Sequence, residues 1–527
     1  MDLAGPLLPL TSLTPAVLMA AAMAMSLRGG DAGRLWRDFR ALSAAALLGA
    51  LATAALAWTA AARGGDAGAL LPGLATGPWS AAMASLVQLL GTVIGGFSAR
   101  YLEGEPHQRR YVAAFAGVLA AVHVLVLADH WLVLIAAWAA VGIALEKLLC
   151  FYPDRPFALL AAHKKRVADR AADALLLAAA ALAWSEAGSG DLAALWRHLA
   201  QGEASVALQA SAVCLVLAVA LRTALLPVHG WLIQVMEAPT PVSALLHAGV
   251  VNLGGFVLIR FAPLLEAVPV ARWLLLGLGL GTAALAGLVM LTRVSIKVRL
   301  AWSTVAQMGF MVLECAVGLY ALAALHVVGH SLYKAHAFLS ASSAVRASRL
   351  ARMRGNVVSS APSVLIAPLL AAAIVESVHR LLPGTGWPWW WSGVLALAWA
   401  PLLWLPVARE AGAAVVGWRA GAGIGLVAGL TLLVGLAHLL PLGVPDRPDA
   451  PAGVAALLGI AAMHAVLAVV HRRAHVPDAW HRWSYAGFYL DEHYTRLALR
   501  LWPARWAPAS WAEAARPLPA VPLDAAR

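Results

Sequence analysis

The sequence is a succession of apolar blocks of about 20 residues separated by short polar links, a length that spans a bilayer core as a helix. Backbone groups within lipid must pair with one another, which a helix achieves inside each span. Hydrophobic residues make up 62% of the 527 residues and charged residues only 12%. The unbroken Ala/Leu/Val runs lack the alternation of barrel strands. The chain is therefore predicted to be an all-α polytopic membrane protein.

Fourteen to fifteen transmembrane helices are predicted, and the first is interpreted as a retained helix because it lacks a basic start. The spans extend over about 6–26, 41–62, 80–100, 111–128, 130–149, 168–185, 206–226, 240–260, 273–292, 299–319, 321–343, 361–382, 392–408, 420–440 and 452–471. Residues 1–471 would form the transmembrane domain. Residues 472–527, where tryptophans alternate with arginines, would form a cytoplasmic or interfacial amphipathic tail.

Basic residues are distributed unevenly between the two sides of the predicted topology. Alternating links place 30 of the 38 Lys and Arg on one side and six on the other, leaving Arg222 and Lys334 within spans. The positive-inside rule then predicts an outside N-terminus and a cytoplasmic C-terminus. The net charge of +12 follows this asymmetry, so contact with membrane lipid is expected and a nucleic-acid partner is not. The chain also has no GxxxxGK[ST] phosphate loop and no CxxC pair.

One predicted span contains three ionisable residues at helical spacing, in the stretch "ALHVVGHSLYKAHAF". His326, His330 and Lys334 are each four residues apart, so they form one stripe on a helix. A lysine at the bilayer centre costs about 2.5–3.5 kcal/mol on insertion scales, which favours a functional role. Histidine titrates near neutrality and a desolvated lysine loses its proton more readily, so the stripe is predicted to relay protons. A metal site at HxxxH, or packing histidines beside a snorkelling lysine, are the alternatives.

A second polar cluster surrounds a predicted helix break at Pro227, with Arg222 before it and Glu237 and His247 after it. Proline inside a membrane helix frees carbonyl groups beside a polar cavity. Pro368 is predicted to interrupt the twelfth span in the same way. Matching broken helices predict two inverted five-helix repeats, about 111–260 and 273–408, although ordinary membrane-helix prolines would look the same.

Two further carboxylates, Glu314 and Glu376, fall within predicted spans and are expected to face the interior of the helix bundle. Together with Arg222, Glu237, His247 and the stripe, they complete the predicted ion-translocation residues. No catalytic residue and no metal ligand set is predicted in this chain.

Four motifs resemble the complex I subunit 5 family, which includes NuoL- and MrpA-like antiporter subunits. They are "FSARYLEGEP" (97–106), "APTPVSALLHAG" (238–249), "AWSTVAQMGFM" (301–311) and "HVVGHSLYKAHAFL" (326–339). The resemblance implies an antiporter-like core of fourteen helices with two inverted repeats. By the matching motifs, His247, His326, His330 and Lys334 would be channel residues.

The chain departs from that family at one functional pair. The family's Trp-Glu-Gly-Val-Gly motif reads "WAAVG" (138–142) here, so Ala139 stands in place of the glutamate. Arg222 stands in place of the lysine with which that glutamate pairs. Arginine stays charged at essentially any pH and cannot easily release a proton. Glu146 lies seven residues after Ala139, on the same helix face, and is one candidate to compensate.

Three other segments resemble the DabB family, the membrane subunits of a two-part inorganic carbon accumulation system. They are "MEAPTPVSALLHAGVVNLGGF" (236–256), "FYPDRP" (151–156) and "GFYLDEHYTRL" (487–497). The resemblance implies a bacterial inner-membrane subunit through which an H⁺ or Na⁺ gradient drives CO2 or bicarbonate uptake. It also implies a DabA partner with a zinc site similar to β-carbonic anhydrases, so that this chain itself holds no cofactor and is not an enzyme.

Three rival functions remain open at this point. The chain could be a proton-pumping subunit of a complex I-like or hydrogenase complex, or a subunit of a cation/proton antiporter. A structural scaffold without ion flow is the third, although it would not account for Lys334.

Overall fold

The computed structural model describes residues 4–64, 68–341, 359–382, 386–407, 412–472 and 478–503, and these are overwhelmingly helical. The helices are α1 (Ala4–Ser26), α2 (Ala32–Ala62), α3 (Pro78–Tyr101), α4 (Gln108–Leu127), α5 (Trp131–Leu149), α6 (Pro156–Ala187), α7 (Leu192–Leu199), α8 (Val206–Arg222), α9 (Gly230–Gln234), α10 (Thr240–Ala248), α11 (Leu253–Arg260), α12 (Ala262–Ala267), α13 (Pro269–Leu291), α14 (Ile296–Ala316), α15 (Tyr320–Leu339), α16 (Ala361–Leu381), α17 (Trp389–Trp399), α18 (Ala413–His438), α19 (Ala450–Arg472), α20 (Asp478–Tyr485) and α21 (Leu490–Leu501). A small antiparallel hairpin pairs β1 (Ala69–Leu71) with β2 (Leu74–Ala75). The predicted all-α class is confirmed.

Ten helical segments in the described part of the chain are long and apolar enough to cross a membrane. They are α1 to α5, the combined α10–α11 segment, α13, α16, α18 and α19. The other predicted spans coincide with α6, α8, α14, α15 and the segment Trp389–Leu403. Of these, α8 and Trp389–Leu403 are apolar but short, whereas α6, α14 and α15 are long helices with several polar or charged residues. The candidate site draws its charged residues largely from these last three helices.

Close backbone contact joins α13 to α14. A Cβ atom on Gly279 would lie 2.8 Å from the carbonyl oxygen of Gly309, and one on Gly309 would lie 2.6 Å from the amide nitrogen of Ala283. Small residues permit this kind of approach between membrane helices. Gly309 belongs to the "AWSTVAQMGFM" motif, so the motif fixes α14 against α13 and sets the position of its polar side chains.

The chain leaves helical geometry at two places near the candidate site. Helix α8 ends at Arg222 and α9 begins at Gly230, with a cis Leu226–Pro227 peptide between them, so a helix break is present where Pro227 predicted one. A second irregularity, which the sequence reasoning missed, separates α10 from α11 at residues 249–252.

The predicted break at Pro368 is wrong, because α16 runs without interruption from Ala361 to Leu381. Proline removes one backbone hydrogen bond, and neighbouring helices can compensate for that loss in a membrane. Helix α16 packs against both α17 and α18.

The bundle has two distinguishable ends. The tail face is the end that carries Arg155, Gln234 and Arg293, and the C-terminal segment, residues 478–503, packs there against α6, α9 and α13. The opposite face carries the Arg260–Asp129 ion pair and the loop that joins α18 to α19. Of the predicted tail, residues 473–477 and 504–527 lie outside the described part of the chain.

Candidate functional site

Lys334 lies inside the protein, with only 1% of its surface exposed. Its ammonium group donates to the carbonyl oxygen of Leu300 at 3.0 Å and to the hydroxyl group of Ser303, both on α14. Ser303 belongs to the "AWSTVAQMGFM" motif, so two motifs identified in the sequence meet at this amine. No carboxylate pairs with Lys334 among the described residues, which leaves its charge held by neutral oxygens alone.

Two buried histidines adjoin Lys334. His330 lies one turn along α15, and His247 projects from α10 with its ring stacked on Phe338 at a centroid distance of 4.6 Å. Neither ring nitrogen of either histidine has a hydrogen-bond partner in the described part of the chain. A buried polar atom without a partner costs free energy, so such atoms in a native fold call for an explanation. Both imidazoles are free to accept or donate a proton.

The stripe continues toward the opposite face through a hydrogen bond. His326 Nδ1 lies 2.8 Å from Glu314 Oε2, and the imidazole of His326 lies 6.1 Å from that of His330. We call this set the buried row: Lys334, His330, His326 and Glu314. It runs along the α14–α15 pair toward the opposite face. The interior position predicted for Glu314 matches its 4% exposure.

A carboxylate in the α18–α19 loop lies beyond the end of the buried row. Asp446 accepts a hydrogen bond from the backbone amide of Ala321 at 2.6 Å, and its other oxygen lies 3.7 Å from His438 Nε2. Burial raises the pKa of Asp446 to about 6, the Ala321 amide opposes this shift, and the charge of Glu314 adds to it. Sequence reasoning missed Asp446, because its loop is adjacent to the row only in the folded chain.

Arg222 forms ion pairs, but not with a carboxylate on α5. Its guanidinium forms ion pairs with Asp173 and, at 3.7 Å, with Asp169, both on α6. It also donates to the carbonyl oxygen of Trp138 at 2.9 Å. Asp169 pairs in turn with Lys165. Lys165, Asp169, Asp173 and Arg222 form a buried charge network, here called the α6–α8 network.

Glu146 does not compensate for Ala139, because its carboxylate pairs with Arg166 instead. The replacement carboxylates come from α6, and the glycine of "WAAVG" makes room for them. A Cβ atom on Gly142 would lie 2.7 Å from Asp169 Oδ2 and 3.3 Å from Arg222 Nη1. The spacing of Lys165, Asp169 and Asp173 by four residues was the sequence signal, and the predicted start of the sixth span at residue 168 separated Lys165 from the two aspartates.

Two predicted site residues lie away from both groups. Glu237 sits on the tail face, where it is 3.9 Å from Arg155 and partly exposed. Glu376 was expected inside the bundle, but its side chain is 43% exposed and pairs with Arg380 one turn along α16. The interior prediction for Glu376 is wrong, because Val375 rather than Glu376 occupies the buried face of that helix.

The break at residues 249–252 connects the α10–α11 segment to α15. Asn252 donates to the carbonyl oxygen of Ala248 at 2.8 Å and to the hydroxyl group of Ser331 on α15 at 2.7 Å. The first bond satisfies a carbonyl beside the helix irregularity. The second fixes α15 directly beside His330, so the irregular backbone positions the buried row. Glycine at 249 was the sequence signal for this feature.

The described ranges contain no group of three or more His, Cys, Asp or Glu side chains arranged to hold a metal ion. His326 and His330 are separated by 6.1 Å between ring centroids, and His326 already contacts Glu314. What the arrangement provides is a series of titratable side chains on α14 and α15 and a separate, permanently charged network on α6 and α8.

Comparison with known proteins places these features in a family. Residues 128–375 match the family described as NADH:quinone oxidoreductase/Mrp antiporter, TM. The chain is 40% identical to the probable inorganic carbon transporter subunit DabB of Hydrogenovibrio crunogenus over 434 residues, which cover 81% of this chain and 83% of that relative. It is 43% identical to the probable inorganic carbon transporter subunit DabB2 of Halothiobacillus neapolitanus over 352 residues, or 63% of each chain.

A solved structure shares the fold. A chain of the Mrp complex from Dietzia sp. aligns with a TM-score of 0.56 and 21% identity, covering 96% of this chain and 58% of that one. This likeness confirms the predicted antiporter-like fold. Together with the buried row and the extent of the similarity to the relatives, it leads to one conclusion: the chain is a multi-pass membrane protein that belongs to the DabB family of inorganic carbon transporter subunits.

Proposed function

We propose that this chain is the ion-translocating subunit of an energy-coupled inorganic carbon uptake complex, driven by a gradient of H⁺ or Na⁺. The single observation that carries the proposal is the buried row, Lys334–His330–His326–Glu314, in a member of the DabB family. Ionisable side chains inside a membrane protein are costly, and they mark ion paths and proton relays.

Lys334 is the central switching site of this mechanism. Its amine is held by the Leu300 carbonyl and the Ser303 hydroxyl, so it can lose its proton without abandoning a carboxylate partner. His330 and His247 are the adjacent acceptors, because their ring nitrogens have no partner in the described residues. His326 and Glu314 continue the route toward the opposite face.

The α6–α8 network has a different part in the mechanism. Arg222 keeps its charge at any working pH, so it biases the electrostatic field without releasing a proton. Its two carboxylate partners hold the end of α8 beside the helix break. A change of charge at Lys334 would thus occur in a bundle that also holds a fixed, fully paired group.

In this proposal a partner subunit, rather than the present chain, catalyses the hydration of CO2. We expect a DabA-like protein with a zinc site similar to that of carbonic anhydrases, and ion flow through the present chain makes CO2 hydration there one-way. The basic residues concentrate on the side that includes the tail face, so we place that face in the cytoplasm of a bacterial inner membrane.

Affinity purification of the tagged chain from gentle detergent tests the assignment. The expected result is co-purification of a large subunit, with zinc detected by elemental analysis. Isolation of the chain with flavin and iron–sulfur subunits would overturn the proposal.

That second outcome would support the alternative, a proton-pumping subunit of a complex I-like or hydrogenase complex, or a cation/proton antiporter subunit. The match of residues 128–375 to a family that includes both types favours it. The Ala139 and Arg222 substitutions weigh against it, because they remove the proton-releasing lysine and its glutamate.

A further inference from the structure

The C-terminal segment brings a carboxylate from the end of the chain to a lysine buried near the start of α6. Asp491 forms an ion pair with Lys164, whose side chain is fully buried, while the Asp491 side chain keeps 28% of its surface exposed. Gln234 on α9 donates to the second oxygen of Asp491 at 3.2 Å. Asp491 therefore contacts solvent on one side and the protein interior on the other.

Two more contacts fix this arrangement. The Tyr494 hydroxyl donates to the carbonyl oxygen of Lys164 at 2.6 Å, and burial raises the pKa of Tyr494, which keeps that hydroxyl protonated. Gly230 opens α9 directly beneath the carboxylate, and a Cβ atom there would overlap with Asp491 Oδ1. Only glycine leaves room for Asp491 at this position.

The pair adjoins the helix break that follows α8. His229, the last residue before α9, is fully buried, and its Nε2 atom has no hydrogen-bond partner among the described residues. It is close enough to be influenced by the charges of both Asp491 and Lys164. The next residue after Lys164 is Lys165, which opens the α6–α8 network through Asp169.

We propose that the C-terminal segment supplies the tail-face entrance of the ion path, with Asp491 passing protons between water and the buried Lys164 and His229. This inference rests on the proposed function and takes the proton as the coupling ion. The Lys164 ammonium releases a proton to His229 Nε2, and the Asp491 carboxylate then accepts a proton from water and returns it to the neutral Lys164 amine. Arg222 cannot make this transfer, because it does not release its proton.

The test measures inorganic carbon uptake in cells that produce the chain together with its partner, with membrane levels checked by immunoblot. Asp491→Asn should lose uptake, because the amide keeps the size and one acceptor oxygen of the side chain but cannot carry a proton. Asp491→Ala should also lose it, and added formate should restore part of the rate by replacing the missing carboxylic acid. The matched control is Glu492→Gln, an exposed neighbour on the same helix, which should retain the wild-type rate.

Lys334→Ala in the same assay separates this inference from the proposed function. Loss of uptake in Lys334→Ala with a normal rate in Asp491→Asn overturns the entrance and leaves the proposed function standing. Normal uptake in both variants overturns the proposed function itself. Loss in Asp491→Ala without rescue by formate, together with increased protease sensitivity after His471, would show that Asp491 only anchors the segment and would overturn the relay.

Discussion

The α6–α8 network and the buried row differ in how their charges are held. In the network every charged group has an oppositely charged partner, and its central cation is an arginine held by two aspartates. In the row, Lys334 is held by neutral oxygens, and His330 has no hydrogen-bond partner in the described residues. In the α6–α8 network each charge is therefore neutralised by a neighbour. In the buried row, Lys334 and His330 can change protonation without breaking an ion pair.

This difference indicates a division of labour between the two halves of the bundle. Fully paired buried charges resist removal of either partner, so they suit a fixed field and a fixed helix position. Unpaired histidines beside a lysine suit proton movement, because their ring nitrogens can take up or release a proton without breaking a hydrogen bond of the described residues. The four predictions below test this contrast, from the largest expected effect to the smallest.

Lys334→Ala should abolish inorganic carbon uptake while the protein remains in the membrane. The substitution removes the switching amine but breaks no ion pair of the described chain. Uptake assays and membrane immunoblots measure the two outcomes. His336→Ala is the matched control, since His336 is exposed and lies off the stripe, and it should retain activity. Equal uptake rates in Lys334→Ala and His336→Ala would contradict the switching role that distinguishes the buried row from the α6–α8 network.

Arg222→Ala should destabilise the folded chain by about 3–5 kcal/mol, because it leaves two buried carboxylates without their cation. Arg222→Lys keeps the positive charge and should retain uptake, since a fixed charge rather than proton release is required. Thermal unfolding in detergent and uptake assays measure both effects. Wild-type stability and rate in Arg222→Ala would contradict the role assigned to the network.

Asp446→Asn should change how stability depends on pH. Because burial raises the pKa of Asp446 to about 6, the folded chain holds this proton more tightly than the unfolded chain. Stability is therefore lost as pH rises from about 4 to about 6, at an expected cost of about 1–3 kcal/mol above that range. Asp446→Asn lacks this loss and should unfold at a higher temperature than wild type above pH 6.

The two proteins should unfold at similar temperatures at low pH, where Asp446 is protonated. His438 and Glu314 also lie near this carboxylate, so the comparison is made between the variant and wild type at each pH. A difference between them that does not vary with pH would refute a titrating Asp446.

Glu376→Gln should change neither uptake nor stability by a measurable amount. Its ion pair with Arg380 joins two exposed side chains, and exposed pairs contribute about 0–1 kcal/mol. Glu314→Gln is the comparison, because it removes the buried partner of His326 and should reduce uptake. Similar behaviour of the two variants would show that burial does not distinguish the row from the surface.

Several tertiary contacts could not be predicted from sequence spacing. Helical periodicity made Glu146 a reasonable partner for Arg222. Periodicity predicts the face of a helix on which a residue lies, but it does not predict which other helix packs against that face. Asp491 and Lys164 are 327 residues apart, so their contact had no local signal. At Pro368 a local signal predicted a helix break that the structure does not have. Helix α16 is continuous there and packs against two neighbouring helices.

The sequence by itself determined the membrane-spanning helical class, the stripe of His326, His330 and Lys334, and the position of the break at Pro227. These follow from the bilayer thickness, the helical repeat and the chemistry of proline, which act locally along the chain. Only the tertiary structure decided which carboxylates neutralise Arg222, which of the two glutamates is buried, and what covers the tail face. Those outcomes depend on which helix faces meet, and that is set by the packing of residues far apart in sequence.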